Sequence, residues 1–366
     1  MYHYFVPLLR PSDPIFARDK ILGSLPVGRT TGVIPVPPVP PDYGGAADGT
    51  LLAGALEVAP YGDWAIVRCS STRLSAVNMA TAALHSFVDA QLRWTVDQPR
   101  HAVFGDYAVC GFATITPAEV GVVVVDISDP TNMSTVTTQL ATYGASSPWF
   151  VLKYGNLAIV SYPNGDSIET YDMTDPTAPS LVSAIRDLSL QRISKARGLD
   201  MSGVYLLVCN RVNHRLAVVD YTTPSSPSIV GSLTDSSNMY GPQWVKAYGN
   251  YAFVWSSVPS ADHYLLTVDI STKSAPVIDS RLASTADARV TGLRGEGWII
   301  GTELFVAKAA SILVFDISDP QNVVVDREET SVDFVSGARR IAHHPTTSPG
   351  GLFSVTQAGE VFGFLL

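Results

Sequence analysis

The chain has 366 residues, 46% apolar and 16% charged, with 33 acidic side chains against 24 basic ones for a net charge of −9. That balance argues against nucleic-acid binding, which rests on neutralising phosphates. No run of about 18 apolar residues occurs, so no membrane span is expected, and 25 prolines with 28 glycines imply many turns and few long helices.

The chain opens on MYHYFVPLLRPSDP, broken by Pro7, Arg10 and Pro11. It lacks the basic start and long apolar stretch of a secretory signal, so a virion or cytoplasmic location is expected rather than classical secretion. Next comes PIFARDKILGSL, ending at Leu25, which resembles PSIVGSL, ending at Leu233. Residues 19–25 are therefore expected to form an outer strand. Residues 26–50 are a proline-rich insert whose centre is Val33, Ile34, Pro35, Val36, Pro37, Pro38, Val39, Pro40 and Pro41. Such a run favours extended polyproline II structure. Two readings stand: a stiff spacer leading to the first blade, or an apolar arm docking into a neighbour's groove.

From residue 51 onward the chain repeats itself. VVVVDISDP ends at Pro130, IETYDMTDP at Pro176, LAVVDYTTP at Pro224, LLTVDIS at Ser271 and ILVFDISDP at Pro320. The aspartates closing these apolar runs, Asp126, Asp172, Asp220, Asp269 and Asp316, recur at about 48 residues, the mark of a repeat architecture. A Gly-Asn or Gly-Asp hairpin signal precedes most copies, as in YGDWAIV, FGDYAVC, YGNLAIV and YGNYAFV, since such dipeptides admit the positive φ of a tight β-turn. A proline-marked turn and another short strand follow. One unit thus reads as four antiparallel strands, a propeller blade.

Stepping back one period from Asp126 lands on Asn78, and stepping forward from Asp316 lands on Phe364. The expected fold is all-β: a seven-bladed propeller of four-stranded blades over residues 51–366, one domain across residues 1–366, with residues 19–25 completing the last blade and removing a sheet edge. In the sixth blade Gly295, Gly297 and Gly301 compete for the first hairpin.

These units resemble the LVIVD-repeat family of β-propellers, on VVVVDISDPTNM, IETYDMTDPTAP, LAVVDYTTPSSP and ILVFDISDPQNV and their preceding hairpins. The resemblance implies the propeller fold; such propellers mostly have no assigned activity, and the fold hosts many functions. The repeated aspartate suits a carboxylate accepting backbone N–H bonds at a strand-ending turn. Cys69, Cys110 and Cys209 lack the spacing of a disulfide framework or zinc site and read as buried thiols. The histidines offer no metal site either; His343 and His344 are strand neighbours that point to opposite faces.

Counting five or six residues back from each hairpin glycine gives a leading residue for each blade at the channel mouth: Leu56, Arg100, Trp149, Arg197, Trp244, Arg289 and Arg339. Arginine forks suit carboxylates and phosphates and tryptophan faces suit apolar or cationic groups, so this ring reads as a ligand or partner site, or as packing between blades. No catalytic constellation, metal or cofactor is expected. The function expected is a non-catalytic interaction or structural propeller: a subunit of a larger assembly, such as a phage capsid or tail, or a surface-binding module. Its partners would be proteins, including copies of itself. The alternatives are a channel-mouth enzyme of the lyase or lactonase-like hydrolase kind, and a small-molecule or glycan binder.

Overall fold

The computed structural model describes residues 46–47, 51–52, 54–69, 73–88, 101–113, 119–143, 148–257, 263–293, 297–308, 311–330, 338–344, 351–356 and 360–365. Pro41–Leu366 form a compact unit. Blade 1 comprises Glu57–Tyr61, Trp64–Arg68, Arg73–Asn78 and Leu84–Val88. Blade 2 comprises His101–Phe104, Tyr107–Ala113, Val120–Asp126 and Ser134–Leu140. Blade 3 is Phe150–Tyr154, Leu157–Tyr162, Ser167–Asp172 and Ser180–Arg186, and blade 4 is Ala196–Ser202, Tyr205–Asn210, Arg215–Asp220 and Ser228–Thr234. Blade 5 runs through Pro242–Tyr248, Tyr251–Ser257, His263–Asp269 and Val277–Ala283. Blade 6 runs through Trp298–Ile300, Glu303–Lys308, Ser311–Asp316 and Val324–Glu329.

These six blades are each an antiparallel meander of four consecutive strands. The remaining sheet is built differently. Its three consecutive strands, Ala338–His344, Gly351–Thr356 and Glu360–Leu365, are joined by the two-residue strand Ala46–Ala47, which pairs with Val361 and Glu360. The leading strands of the blades touch in chain order, and Ala338–His344 touches the leading strands of both blade 6 and blade 1.

This corrects the expectation of seven like blades latched by residues 19–25. There are six complete blades and a composite closing sheet, whose last edge is taken by residues just ahead of blade 1. The physical reason is proximity: the ring brings blade 1 beside the closing sheet, so the stretch entering blade 1 meets the open edge first. The similarity of KILGSL to SIVGSL reflects the composition of an outer strand and does not encode which edge it pairs with. Residues 19–25 and the proline-rich run from Val33 to Pro41 lie outside the described residues.

The core lies in the seams between blades. Ile66, Ala108, Cys110, Val123 and Val125 fill one seam, and Ile159, Ile168, Leu199, Leu206 and Val208 fill another. Val58, Val67 and Val77 of blade 1 meet Ala342 and Val361 of the closing sheet in the same way. Each fully buried large apolar side chain stabilises the fold by about 1.5–3 kcal/mol. The third strands, such as Val122–Val125, are buried on both faces, whereas the fourth strands are largely exposed. That explains why the third strands read as unbroken apolar runs.

The repeated phrase has a mechanical explanation. The backbone N–H two residues after each aspartate donates to its carboxylate: Ser128 to Asp126, Thr174 to Asp172, Thr222 to Asp220, Ser271 to Asp269 and Ser318 to Asp316, all at 2.7–2.9 Å. The residue directly after the aspartate is a buried apolar peg. Its N–H bonds back to the first hairpin of the same blade, as Ile127 does to Asp106, Met173 to Asn156, Tyr221 to Val204, Ile270 to Asn250 and Ile317 to Thr302. In blade 1 Asn78 takes the aspartate's part, accepting from the N–H groups of Ala80 and Thr81, and Met79 is the peg. The hairpin glycines Gly62, Gly105, Gly155, Gly203, Gly249 and Gly301 have φ between +52° and +61°, which only glycine adopts freely. Gly301 thus holds the blade 6 turn.

Cys69, Cys110 and Cys209 are buried and free. Burial pushes the thiols of Cys69 and Cys110 up to about 11 and about 12, and that of Cys209 higher still. Thiols held protonated in this way are poor nucleophiles.

Candidate functional site

In a four-stranded meander the first hairpin and the third-to-fourth turn share one end of the blade. The second hairpin and the connector to the next blade share the other. The glycine turns and aspartate corners therefore gather at one end, where every complete blade repeats the same hydrogen bonds. The connector end is where the blades differ, and it is also the end at which the leading strands begin.

Three consecutive blades show how the leading position is used. Trp149 precedes Phe150–Tyr154, and its N–H bonds to Ser161. In blade 4 Arg197 is the bulged residue between Ala196 and Gly198, and in blade 5 Gln243 is the bulged residue between Pro242 and Trp244. The three residues form a chain across two seams. The Arg197 guanidinium sits 4.1 Å from the Trp149 ring centroid, and its Nη1 donates to Gln243 Oε1 at 3.5 Å.

Two other members of the expected ring, Trp244 and Arg289, fall elsewhere. Trp244 is 3% exposed and packs with Phe253, Leu265, Val290 and Leu293. The register puts Gln243 at the level of Arg197, and a one-residue slip turns a side chain to the opposite face of the sheet. Arg289 lies in a short 3₁₀ helix, Ala288–Val290, ahead of blade 6, where its guanidinium grips Asp287. Arg339 holds the bulge position of the closing sheet, between Ala338 and Arg340. Arg100 lies outside the described residues. Of the expected mouth residues, the described structure brings together Trp149 and Arg197.

The connector from blade 3 to blade 4 carries a more developed arrangement. Asp187, 5% exposed, accepts from the N–H groups of Leu190 and Arg192 and from Arg192 Nε at 3.2, 2.9 and 2.7 Å. Burial pushes its carboxyl up, but these donors outweigh that effect and hold it below the usual carboxylate range. Asn210 and Asn213 both donate to the carbonyl of Gln191, and Arg215 donates to that of Leu190 at 2.7 Å. His214 stacks on Tyr240, with centroids 4.3 Å apart, and its Nδ1 accepts from the Gly241 N–H. The 187–195 connector, the 211–214 hairpin and the loop through Tyr240 are thus knitted together.

Two further features single out this corner. Four of the five non-glycine residues with positive φ among the described residues are Asp166, Gln191, Lys195 and His214, all on these connector-end loops of blades 3 and 4. Each costs about 1–3 kcal/mol and persists only where surrounding contacts impose it, a pattern typical of functional loops. Leu188, Leu190 and Val212 are 57%, 59% and 60% exposed, with the half-buried His214–Tyr240 stack beside them. These are large apolar side chains presented on fixed backbone. Among the described residues no group of three metal-ligating side chains occurs.

The LVIVD repeat family matches residues 102–139, 194–235 and 243–283, which fall on blades 2, 4 and 5. The chain is a β-propeller that carries LVIVD repeats. The solved structures similar to this propeller share its fold at low identity. The β-propeller domain of Cps50 (Swd1) from Myceliophteria thermophila is 10% identical with a TM-score of 0.61, over 86% of this chain and 96% of that one. A protein from Lactobacillus plantarum is 14% identical with a TM-score of 0.59, over 83% and 88% of the two chains. A chain of a mitotic checkpoint complex is 11% identical with a TM-score of 0.59, over 100% and 99%. No curated protein matches the chain. At such identities these likenesses establish the propeller architecture alone.

Sequence reasoning passed over the propeller's blade 3–4 corner because it looked for function in residues that repeat. The signal lay in what does not: RDLSLQRISKAR, spanning residues 186–197, has no counterpart in the other connectors.

Proposed function

We propose that this propeller is a non-catalytic interaction module that binds protein partners through its connector-end face. The observation that carries this reading is the pairing of rigid backbone with exposed apolar side chains at the blade 3–4 corner. Leu188, Leu190 and Val212 are displayed on loops whose polar groups are bonded to one another. Pre-ordered loops of this kind lose little entropy on binding, and apolar side chains fixed in water are otherwise a solubility liability. The opposite end is occupied by the structural hydrogen bonds of the repeat. Trp149 and Arg197 belong to the rim of the same face and lock the third and fourth blades together.

The setting we propose is a subunit of a larger assembly, with a virion capsid or tail as one such particle. Propellers with the same architecture occur as parts of complexes, as the mitotic checkpoint chain illustrates. Amine-directed cross-linking mass spectrometry on the native assembly tests both points. Lys195 stands on the connector end, while Lys153 and Lys273 stand at the hairpin end. Links to partner chains are expected at Lys195. Links confined to Lys153 and Lys273, or recovery of the protein as a lone monomer, overturn the reading.

A further inference from the structure

We infer that the blade 3–4 corner is built to take an acidic polypeptide segment carrying apolar side chains, an inference that rests on the interaction reading above and names the chemistry of the partner. The argument starts from charge. Residues 186–215 contain six of the chain's 24 basic residues, Arg186, Arg192, Lys195, Arg197, Arg211 and Arg215, and only two acids, Asp187 and Asp200, although the chain as a whole carries −9. Asp187 is consumed by Arg192 at 2.7 Å. Asp200 accepts from the Ala247 N–H and lies 3.8 Å from Lys246. A local cationic surplus thus stands on an otherwise anionic protein.

Arg211 and Arg186 are uncommitted to any acid among the described residues. Arg211 is exposed at the tip of the second hairpin of blade 4, beside Val212. Arg186 is exposed at the end of the outer strand of blade 3 and lies over the ring of Tyr143 at 4.9 Å, one residue from Asp187 and two from Leu188. Leu188 and Leu190 follow Arg186 on the connector, which Arg215 and Asn213 tie at Leu190 and Gln191 to the hairpin that carries Arg211 and Val212. Cations at the flanks with apolar side chains in the middle are the complement of a segment that alternates carboxylates with apolar groups. Rim charges of this sort steer and select the partner, while the apolar centre supplies affinity.

The apolar centre distinguishes a polypeptide from a nucleic acid. A polyanion gains little from leucine and valine side chains, its binding rests on many phosphate contacts, and the net charge of −9 repels it at long range. The same net charge disfavours a partner with acidic surface everywhere and favours a short segment that reaches this corner alone.

The test uses the full chain and a short fluorescein-labelled peptide of repeating Asp-Leu-Ser, with matched Asn-Leu-Ser and Lys-Leu-Ser peptides and a single-stranded oligonucleotide as comparisons. Fluorescence anisotropy at low salt is expected to show saturable binding of the Asp peptide. The affinity should fall about tenfold in R186E/R211E and about tenfold in L188S/L190S, and weaken as salt is raised. All four substituted side chains are exposed, so circular dichroism and the thermal midpoint should match wild type. Tighter binding of the Asn or Lys peptide overturns the acidic partner and leaves the interaction reading standing. Preference for the oligonucleotide overturns the choice of polypeptide. Asp-peptide binding that both double variants retain overturns the site, and failure of every probe to bind overturns the partner chemistry and the interaction face together.

Discussion

The guanidinium of Arg197 lies 4.1 Å from the centre of the Trp149 ring, across the seam between blades 3 and 4, and reaches on to Gln243 of blade 5. Arg197 is half-buried, so its charge is partly desolvated and the ring's quadrupole holds it more firmly than in open water. Such pairs contribute about 0.5–2 kcal/mol. A double-mutant cycle with W149A and R197A, followed by urea unfolding, should return a coupling of about 1 kcal/mol between the two sites. A coupling near zero would mean that the stack is incidental to the join between the blades.

Glu169 is an acid held in the interior of blade 3. It is fully buried, accepts from the N–H groups of Thr142 and Tyr143 at 3.1 and 2.7 Å and from the Tyr171 hydroxyl, and so pins the connector from blade 2 onto blade 3. Replacing it by alanine removes the acceptor of two part-buried backbone N–H groups and leaves the buried Tyr171 hydroxyl with Tyr162 alone, and is expected to cost about 2–4 kcal/mol. Tyr171→Phe removes one of the three donors and should cost about 1 kcal/mol. Chemical denaturation of the two variants checks the order. Equal losses would show that Glu169 acts through bulk rather than through its bonds.

Two glycines separate a backbone demand from a packing demand. Gly155 sits at φ +57° with open space where a Cβ would project, so Gly155→Ala should cost only the left-handed penalty, about 1–2 kcal/mol. Gly198 has no such φ, but a Cβ there would meet the Trp244 Cα of the next blade at 2.5 Å. Backbone cannot yield as a side chain can, and Gly198→Ala is expected to cost about 3 kcal/mol. Thermal midpoints of the two variants should rank in that order; the reverse ranking would place the strain in the turns.

The blade pattern was legible in the sequence because its parts are local. A glycine turn, an apolar run and the aspartate corner each need only neighbouring residues to form, and the complete blades write them again, with Asn78 in the aspartate's place in blade 1. What was not legible required distance. The pairing of Ala46–Ala47 with Glu360–Leu365 depends on which segment the ring brings to an open edge, and two alanines carry no strand signature. The bulges that set Arg197 and Gln243 at one level and bury Trp244 arise from a single inserted residue per strand, which a count from the hairpin glycine misses by one. The blade 3–4 corner is written in a connector, where no period helps. Its trace in the sequence is a local excess of arginine and leucine.

The aspartate corners should make the fold sensitive to acid. Thr174, Thr177 and Thr222 hydroxyls and N–H groups hold Asp172, Asp175 and Asp220 below the usual carboxylate value, and the Ser271 and Ser318 N–H groups do the same for Asp269 and Asp316. A carboxyl whose folded pKa lies below its unfolded value of about 3.9 contributes stability that is complete above that value and is lost as pH falls through the folded one. Stability should therefore be flat with respect to these groups above about pH 5 and decline from about pH 4 downward. Thr174→Val and Thr222→Val remove the hydroxyl donors while keeping side-chain shape, so the folded pKa values of Asp172 and Asp220 move back toward the unfolded one. The double variant should be less stable than wild type near neutral pH and should lose less on acidification, so that the two curves of thermal midpoint against pH converge below about pH 3. Parallel curves across that range would mean that the corners contribute through backbone geometry alone and that their charge is irrelevant to the stability of the ring.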